Sequence, residues 1–369
     1  MLTEDEKIGF GDTIDRLVTV PLFFRTLYQK RPVTFELYEA ARNKMGSPLT
    51  MLAAERLVET VKKGDSVIIT TGFIIPNWLQ AETDGPIGAA SLARAISVGL
   101  EATPVFLVEE SLVNMMSATC RATGLHTYDL RRAREIPLRA TVNSFPIEEE
   151  KAKKAAERTI SEINPSVIIA VERPSRNEKG VYHPGAGIDI SSMISKIDYL
   201  FEEARSRKIL TIGIGDHGGE IGFGCIKETA KRVLPLGSKC RCPCGSGIAA
   251  DTGTDVLVVS APPSNWGAYG VETCLAALLG YEDILHDSAT EHRIIRSCIG
   301  AGGIDSTSGL SEPSVDRVPE EINAYMISIL HAILRSTIHT GLFEQRHREY
   351  WQSKLDTLQE RANNWKTMT

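Results

Sequence analysis

Short apolar runs recur from Asp65 onward, and stretches of helical period separate them. SVIIT at 66–70, TPVFLVEE at 103–110, SVIIAVE at 166–172, ILTIGIG at 209–215 and DVLVVSA at 255–261 are rich in β-branched residues and apolar at successive positions. A strand with one wet face alternates apolar and polar side chains, so uninterrupted apolar runs predict strands buried on both faces. Alternation of such strands with helical segments predicts an α/β fold, a mostly parallel sheet covered by helices on both faces. Apolar positions three and four apart predict those helices over 87–98, 111–123, 147–163, 191–207, 225–234, 268–279, 288–298 and 319–340. Before Asp65 the pattern is helical only: an amphipathic stretch near 13–26, then a longer one broken near Gly46-Ser47-Pro48 and resumed through LTMLAAERLVETVKKG. This divides the chain into a helical N-terminal arm (1–64) packed on an α/β catalytic domain (65–340), with a C-terminal helical tail (341–369). No internal repeat or low-complexity tract interrupts it.

Charge narrows the partners. The 369 residues carry 41 basic and 47 acidic groups, a net of -6. They are spread along the chain, with no basic patch for a nucleic-acid backbone or an anionic membrane. No apolar run approaches the roughly 18 residues that span a bilayer. The acidic start, MLTEDEKIGFGDTIDRL, has neither a signal core nor transit-peptide character, so the expected location is cytoplasmic. The expected partner is a small-molecule carboxylate; self-association into a homo-oligomer is left open. Seven cysteines without a secretion signal are expected to be reduced. Cys240, Cys242 and Cys244 cluster in KCRCPCGSG, where a soft metal or a redox pair is conceivable. However, C-x-C-x-C is not the usual C-x-x-C zinc pattern, and no histidine lies within ten residues. The expectation is therefore a surface loop of exposed thiols whose replacement by serine matters little.

In a doubly covered parallel sheet the ligand binds beyond the carboxyl ends of the strands, so the residues that follow each strand carry the chemistry. After the first strand come Thr71 and Gly72, then Glu82-Thr83-Asp84-Gly85-Pro86 opening a helix. These offer carboxylates beside a positive helix end, or merely a Thr83 or Asp84 cap. After SVIIAV come Glu172-Arg173, and then Tyr182-His183-Pro184-Gly185. Arg173 suits a bidentate grip on a substrate carboxylate or a structural ion pair with equal ease, and His183 reads as a proton shuttle or a structural residue. The strongest signal follows ILTIGI, where GDHGGEIGFG holds five glycines in ten residues. Glycine raises the entropy lost on folding, so such a loop is expected to turn tightly and approach a ligand. It is neither the dinucleotide fingerprint nor a phosphate-binding Walker loop. It presents Asp216 and Glu220, with Gly218 and Gly219, for metal binding or acid–base work on an anionic substrate. After the last strand, Ser264 and Asn265 cap a helix or hydrogen-bond substrate, with Trp266 as a wall, and the glycines at 300–303 are expected to close over the site.

Taken together, TGF with ETDGPIGAASLARAI, ERP with GVYHPGAGIDI, IGIGDHGGEIGFG, SNWGAYG and GGIDS resemble, in order and over roughly residues 50–340, the cyclase part of the D-glutamate cyclases and their stand-alone relatives. The resemblance implies an α/β fold and a carbon–oxygen lyase that dehydrates D-glutamate to 5-oxo-D-proline, with a divalent ion, manganese or magnesium. It implies Asp216 or Glu220 as the base and a metal on Glu82, Asp84, Asp216 or Glu220. Substrate would meet Thr71, Gly72, Arg173, Tyr182, His183, Gly218, Gly219, Ser264 and Asn265. The chain departs from the family pattern at His217 and Gly219, where relatives commonly carry Gly and Asn, at Pro184-Gly185-Ala186, and in the cysteine segment, which reads as an insertion. The competing readings are a catalytically silent protein that binds a small carboxylate and, with the nucleotide fingerprint missing, an oxidoreductase. Several uncompensated acids around an anion favour the enzyme.

Overall fold

The protein is described by a computed structural model covering residues 2–23 and 31–368. Its strands are β1 (Ser66–Thr71), β2 (Ile74–Ile75), β3 (Gln80–Ala81), β4 (Thr103–Val108), β5 (His126–Thr127), β6 (Arg139–Ser144), β7 (Pro165–Val171), β8 (Leu210–Gly215), β9 (Val256–Val259), β10 (Ser314–Val315) and β11 (Val318–Pro319). Among the described residues, seven of these form one sheet in the order β5-β6-β4-β1-β7-β8-β9, with every pair parallel. β2 with β3, and β10 with β11, make small antiparallel hairpins.

Alternate residues of a strand face opposite sides of a sheet. Val67 and Ile69 accordingly join one hydrophobic core and Ile68 the other. The helices are α1 (Glu4–Val18), α2 (Thr34–Met45), α3 (Leu49–Thr60), α4 (Pro86–Gly99), α5 (Val113–Ala122), α6 (Leu130–Glu135), α7 (Glu149–Ile163), α8 (Asp198–Ser206), α9 (Lys227–Val233), α10 (Asn265–Leu279), α11 (Ser288–Gly300), α12 (Glu320–Ile338) and α13 (Thr340–Met368). α7 and α8 cover one face through Ala152, Ala156, Ile160, Leu200 and Phe201. The larger core on the other face takes side chains from α3, α4, α5, α10 and α11, and α1 and α2 join it through Ile14 and Leu37. The expected α/β fold, with its helical N-terminal region and long C-terminal helix, is the one observed. No described helix is long and apolar enough to cross a membrane.

The buried Asp15 carboxylate fastens the N-terminal helices together. It accepts hydrogen bonds from Leu49 N at 2.6 Å, Thr50 N at 3.0 Å and the Tyr38 hydroxyl at 3.0 Å, thereby capping α3 from α1.

Several boundaries differ from expectation. α1 begins nine residues earlier than the 13–26 stretch, because Thr3 and Glu6 form a reciprocal capping box, and it ends at Val18; residues 24–26 lie outside the described residues. Strand β5 at the edge and β6 beside it were not anticipated: one is two residues long, and RATVNS is largely polar and exposed at its end. The expected 191–207 helix starts only at Asp198, since Ser195 turns its N–H to Glu109.

From β1 the chain passes through α4 to β4 on one side; from β7 it passes through α8 to β8 on the other. The carboxyl ends of β1 and β7 therefore flank the point where the topology switches, and a crevice is expected there.

Candidate active site

Each loop beyond that crevice brings acids inward. After β1, the β2–β3 hairpin leads to Glu82 and Asp84, both buried, and α4 starts at once behind Gly85. Gly85 has φ +89°, and a Cβ there would lie 2.6 Å from Thr71 Oγ1 and 2.7 Å from Glu172 Cβ. Only glycine lets the loops after β1 and β7 approach so closely. Glu172, with φ 43°, leaves β7 in a left-handed conformation and lines the pocket. Departures of that kind concentrate at functional sites.

Two helices cap each other here. Asp84 accepts from the N–H groups of Ser264 (2.9 Å) and Asn265 (3.1 Å), at the start of α10. In return Asn265 Oδ1 accepts from Gly85 N (2.9 Å) and Gly88 N (2.7 Å), at the start of α4. The Ser264 hydroxyl lies between Asp84 (2.9 Å) and Glu172 (2.8 Å). The cap of α4 is thus Asn265, not Thr83 or Asp84, and Ser264 and Asn265 hold the acids in place. Trp266 is buried with its indole N–H on Asn323 and forms no part of the pocket wall.

After β8, Asp216 and Glu220 enter the same space. Glu220 accepts from Gly218 N at 2.8 Å and His217 N at 3.3 Å, while Asp216 Oδ2 is buried without a hydrogen-bond partner. The glycines of this loop were expected to approach a ligand. Gly219 lines the pocket, but Gly222 and Gly224 serve backbone packing: a Cβ on Gly224 would lie 2.3 Å from Asp251 O, and one on Gly222 3.1 Å from Gly213 Cα.

A last acid comes from the 304–317 segment. Thr83 N donates to Ile304 O, joining this segment to the Glu82 loop, and Ser306 hydrogen-bonds Asp316. Asp305 organises the segment by accepting from Thr307, Ser308 and Arg317 N–H groups and the Ser314 hydroxyl. The glycines at 300–303, expected to close over the site, do not line the pocket.

The result is a pocket of about 560 Å³ with Glu82, Glu172, Asp216, Glu220 and Asp316 on its wall. Burial raises the pKa of each. Glu82, Glu172 and Asp216 lie well above the ordinary carboxylate range, pushed further by neighbouring acids. Glu220 rises to about 7 despite its N–H donors, and Asp316 to about 8. Asp84 is raised by burial against the lowering pull of its four donors. Oxygens of Asp84, Glu172 and Asp216 all lie within 4.8 Å of one another. An all-carboxylate set with an unsatisfied buried oxygen fits a hard divalent cation. Glu82 and Glu220 border the same space.

Arg173 is not on the pocket wall. It is 0% exposed and grips Glu109 with two bonds of 2.8 and 2.6 Å; it also donates to the carbonyls of Thr71, Gly72 and Ser195. Tyr182 is likewise turned inward, its hydroxyl 2.6 Å from Asp198, and the Thr71 hydroxyl is buried beside Gly85. His183 does line the pocket, and its Nε2 lies 3.2 Å from Cys242 Sγ. The cysteine segment is not a loop of exposed thiols: Cys240 is buried, Cys242 and Cys244 are half-buried, and their sulfurs converge with His183.

Glu172 was read only as an ion-pair partner, and Asp316 was missed. The available signal for Asp316 was VDRV, in which Asp316 and Arg317 fill a two-residue turn with φ 49° and 68°, positions that usually call for Asn-Gly. Arg317 also reaches the pocket wall, its guanidinium 4.4 Å from the Phe23 ring centroid.

Fold and site together define an α/β protein with a small-molecule pocket at the topological switch of a parallel sheet, floored by buried acids. Residues 31–331 match the family described as D-glutamate cyclase-like, C-terminal. The chain belongs to that family. It is 29% identical over 247 residues to the human protein named D-glutamate cyclase, mitochondrial; the match covers 64% of this chain and 35% of that protein, so the chain spans about a third of the relative's length. A solved chain described as SPT with PLP covers 90% of this chain and 84% of its own, at 10% identity and a TM-score of 0.21, a likeness that carries no argument.

Proposed function

We propose that the chain is a carbon–oxygen lyase that closes D-glutamate to 5-oxo-D-proline with loss of water. The observation that carries this reading is the convergence of Glu172, Asp216 and Glu220 on one pocket, with Asp84 close behind Glu172 and Asp216, joined to membership of a family whose human relative bears the cyclase name. The amino nitrogen attacks the side-chain carboxyl carbon, the C–N bond forms, and one carboxyl oxygen leaves. The nitrogen gives up two protons and the departing water takes two, so the site needs a base and an acid rather than a net proton source. Glu220, on the glycine loop, serves as the base. Glu220 then returns a proton to the departing oxygen, while Asp216, with its unpartnered buried oxygen, serves as a ligand of the metal. Arg317 replaces Arg173 as the cation for the main-chain carboxylate. Manganese or magnesium held by Asp84, Glu172 and Asp216 would supply Lewis acidity at the reacting carboxyl. A cytoplasmic location belongs to the same proposal.

The direct test incubates the purified protein and manganese with D- and L-glutamate and follows loss of the primary amine by chiral chromatography. The D-enantiomer should be consumed, and Asp216→Asn and Glu220→Gln should each lower turnover by on the order of 10²-fold or more. Their melting midpoints should be unchanged or higher, since each replaces a buried acid whose ionisation the crowded cluster disfavours. Folded protein that consumes neither enantiomer would remove D-glutamate as the substrate. A second reading, a related lyase or hydrolase acting on an extended carboxylate, is favoured by the apolar rim of Leu22, Phe23, Phe73, Ile75 and Trp78. The same assay with amide- or acyl-extended glutamates distinguishes it.

A further inference from the structure

Cysteines at 240, 242 and 244 have no histidine near them in sequence, but the fold supplies one. His183 Nε2 lies 3.2 Å from Cys242 Sγ and 4.0 Å from Cys244 Sγ, and Cys240 Sγ lies 3.3 Å from Cys242 and 3.4 Å from Cys244. The four ligand atoms all fall within 4.8 Å of one another. Sulfurs at these separations are far beyond the ~2.05 Å of a disulfide. A tetrahedral zinc with Zn–S of about 2.3 Å and Zn–N of about 2.0–2.1 Å has S···S edges of roughly 3.8 Å and S···N edges of roughly 3.5 Å. The two S···S edges are shorter than this by up to about half an ångström, and the two S···N edges fall on either side of it by as much.

The surroundings hold the four groups in this arrangement. Cys240 N–H donates to Ser246 O at 2.8 Å and closes the cysteine turn, while Arg241 N–H donates to Gly187 O at 2.8 Å and ties that turn to the segment following His183. Asn177 secures both sides: its Nδ2 donates to Cys244 Sγ (3.5 Å) and Gly247 O (2.8 Å), and its Oδ1 accepts from the N–H groups of Lys179 and Val181, just before His183. Partners of this kind behind the ligands orient and tune a metal centre. Three sulfurs and an imidazole, all lone-pair donors and mostly sheltered from water, form an arrangement that a soft cation resolves.

We propose that His183, Cys240, Cys242 and Cys244 form a closed structural zinc site that pins one wall of the acidic pocket. His183 to Ala186, Ile188 and Ile248 line that pocket, and Gly185 packs against His217 of the glycine loop. The ion clamps the two segments that carry these residues, 183–188 and 240–248, and takes no part in the reaction. The set is chemically distinct from the all-oxygen acids across the pocket, so two metals of different character are kept apart by ligand softness. The inference does not depend on the substrate.

The full chain, purified without chelator and dialysed, should contain about one zinc per molecule by elemental analysis. Replacement by cobalt(II) should give thiolate-to-cobalt charge-transfer bands and the intense visible bands of a tetrahedral centre. Cys242→Ser and His183→Asn should lose the zinc and melt several degrees lower, whereas Asp216→Asn should keep the zinc in full. If a ligand variant does not fold, the wild-type protein still decides: three thiols should resist a thiol reagent until a strong chelator releases the ion. Folded wild-type protein that neither contains zinc nor takes up zinc or cobalt would overturn the proposal. So would zinc retained in Cys242→Ser but lost in Asp216→Asn.

Discussion

Arg173 shows how one residue's role depends on what the fold places beside it. At the end of a strand, next to Glu172, it suited a substrate carboxylate, and only the path of the chain after β4 brings Glu109 to it, fully buried. Removing one partner of a buried ion pair strands the other charge. Arg173→Met should therefore destabilise the protein by about 3–5 kcal/mol, read from denaturant unfolding, and adding Glu109→Leu should recover much of the loss. If the single variant unfolds like wild type, the pair has no structural weight. Asp216 and Glu220 were legible for the opposite reason: a strand followed by a glycine-dense loop with two acids identifies itself locally. Glu172 and Asp316 were hidden, because their acid role depends on neighbours far away in the chain, from 44 positions (Glu172 to Asp216) to 234 (Asp316 to Glu82). His183 and the three cysteines were hidden for the same reason, with 56 residues between the histidine and the first thiol.

Among the secondary-structure elements, the exchange of caps between α4 and α10 stands out, since each helix start is satisfied by a side chain from the other. Asn265→Ala takes from Gly88 N–H its side-chain acceptor and leaves Gly85 N–H with Asp84 alone, and should destabilise by about 1–2 kcal/mol. It should also lower activity beyond that loss, because Asp84 is held in the same exchange; melting and turnover of the purified variant measure the two effects. A fall in stability with unchanged turnover would detach the capping from the site. Central strands and most helices were legible from period and composition, their ends agreeing within a few residues. The pairing of the caps was not, since 180 residues separate Asp84 from Asn265. The edge strand β5 and its neighbour β6 escaped because the margin of a sheet needs few apolar residues and carries correspondingly little pattern.

The whole molecule contains a buried charge network that should make its stability depend on pH. His286 lies between Glu272 of α10 (3.0 Å) and Glu291 of α11 (2.9 Å); Tyr269 hydrogen-bonds Glu291, and His331 of α12 meets the His286 carbonyl. Burial alone would lower the imidazole pKa, but the two glutamates outweigh it and raise it to about 9. A pKa raised on folding contributes stability that is complete below the unfolded value of about 6.5 and is lost as pH climbs through 9. The shift corresponds to on the order of 3 kcal/mol. The melting midpoint should fall between pH 6.5 and 9, and Glu291→Gln should move that fall to lower pH; an unmoved fall would assign the dependence elsewhere. At this scale the α/β class was legible throughout, whereas the residues that carry the N-terminal helices into the main core, such as Ile14 and Leu37, show only in the folded chain. Those helices also lead into the pocket's outer rim, which comes from residues 21–23, 32–34, 73 and 75–78, while most of its acids come from loops at the carboxyl ends of the strands. Rim and floor are therefore separable units of inheritance: substitutions near the amino terminus can change which molecules are admitted while the reaction below is transmitted intact, and specificity and chemistry are free to evolve at different rates.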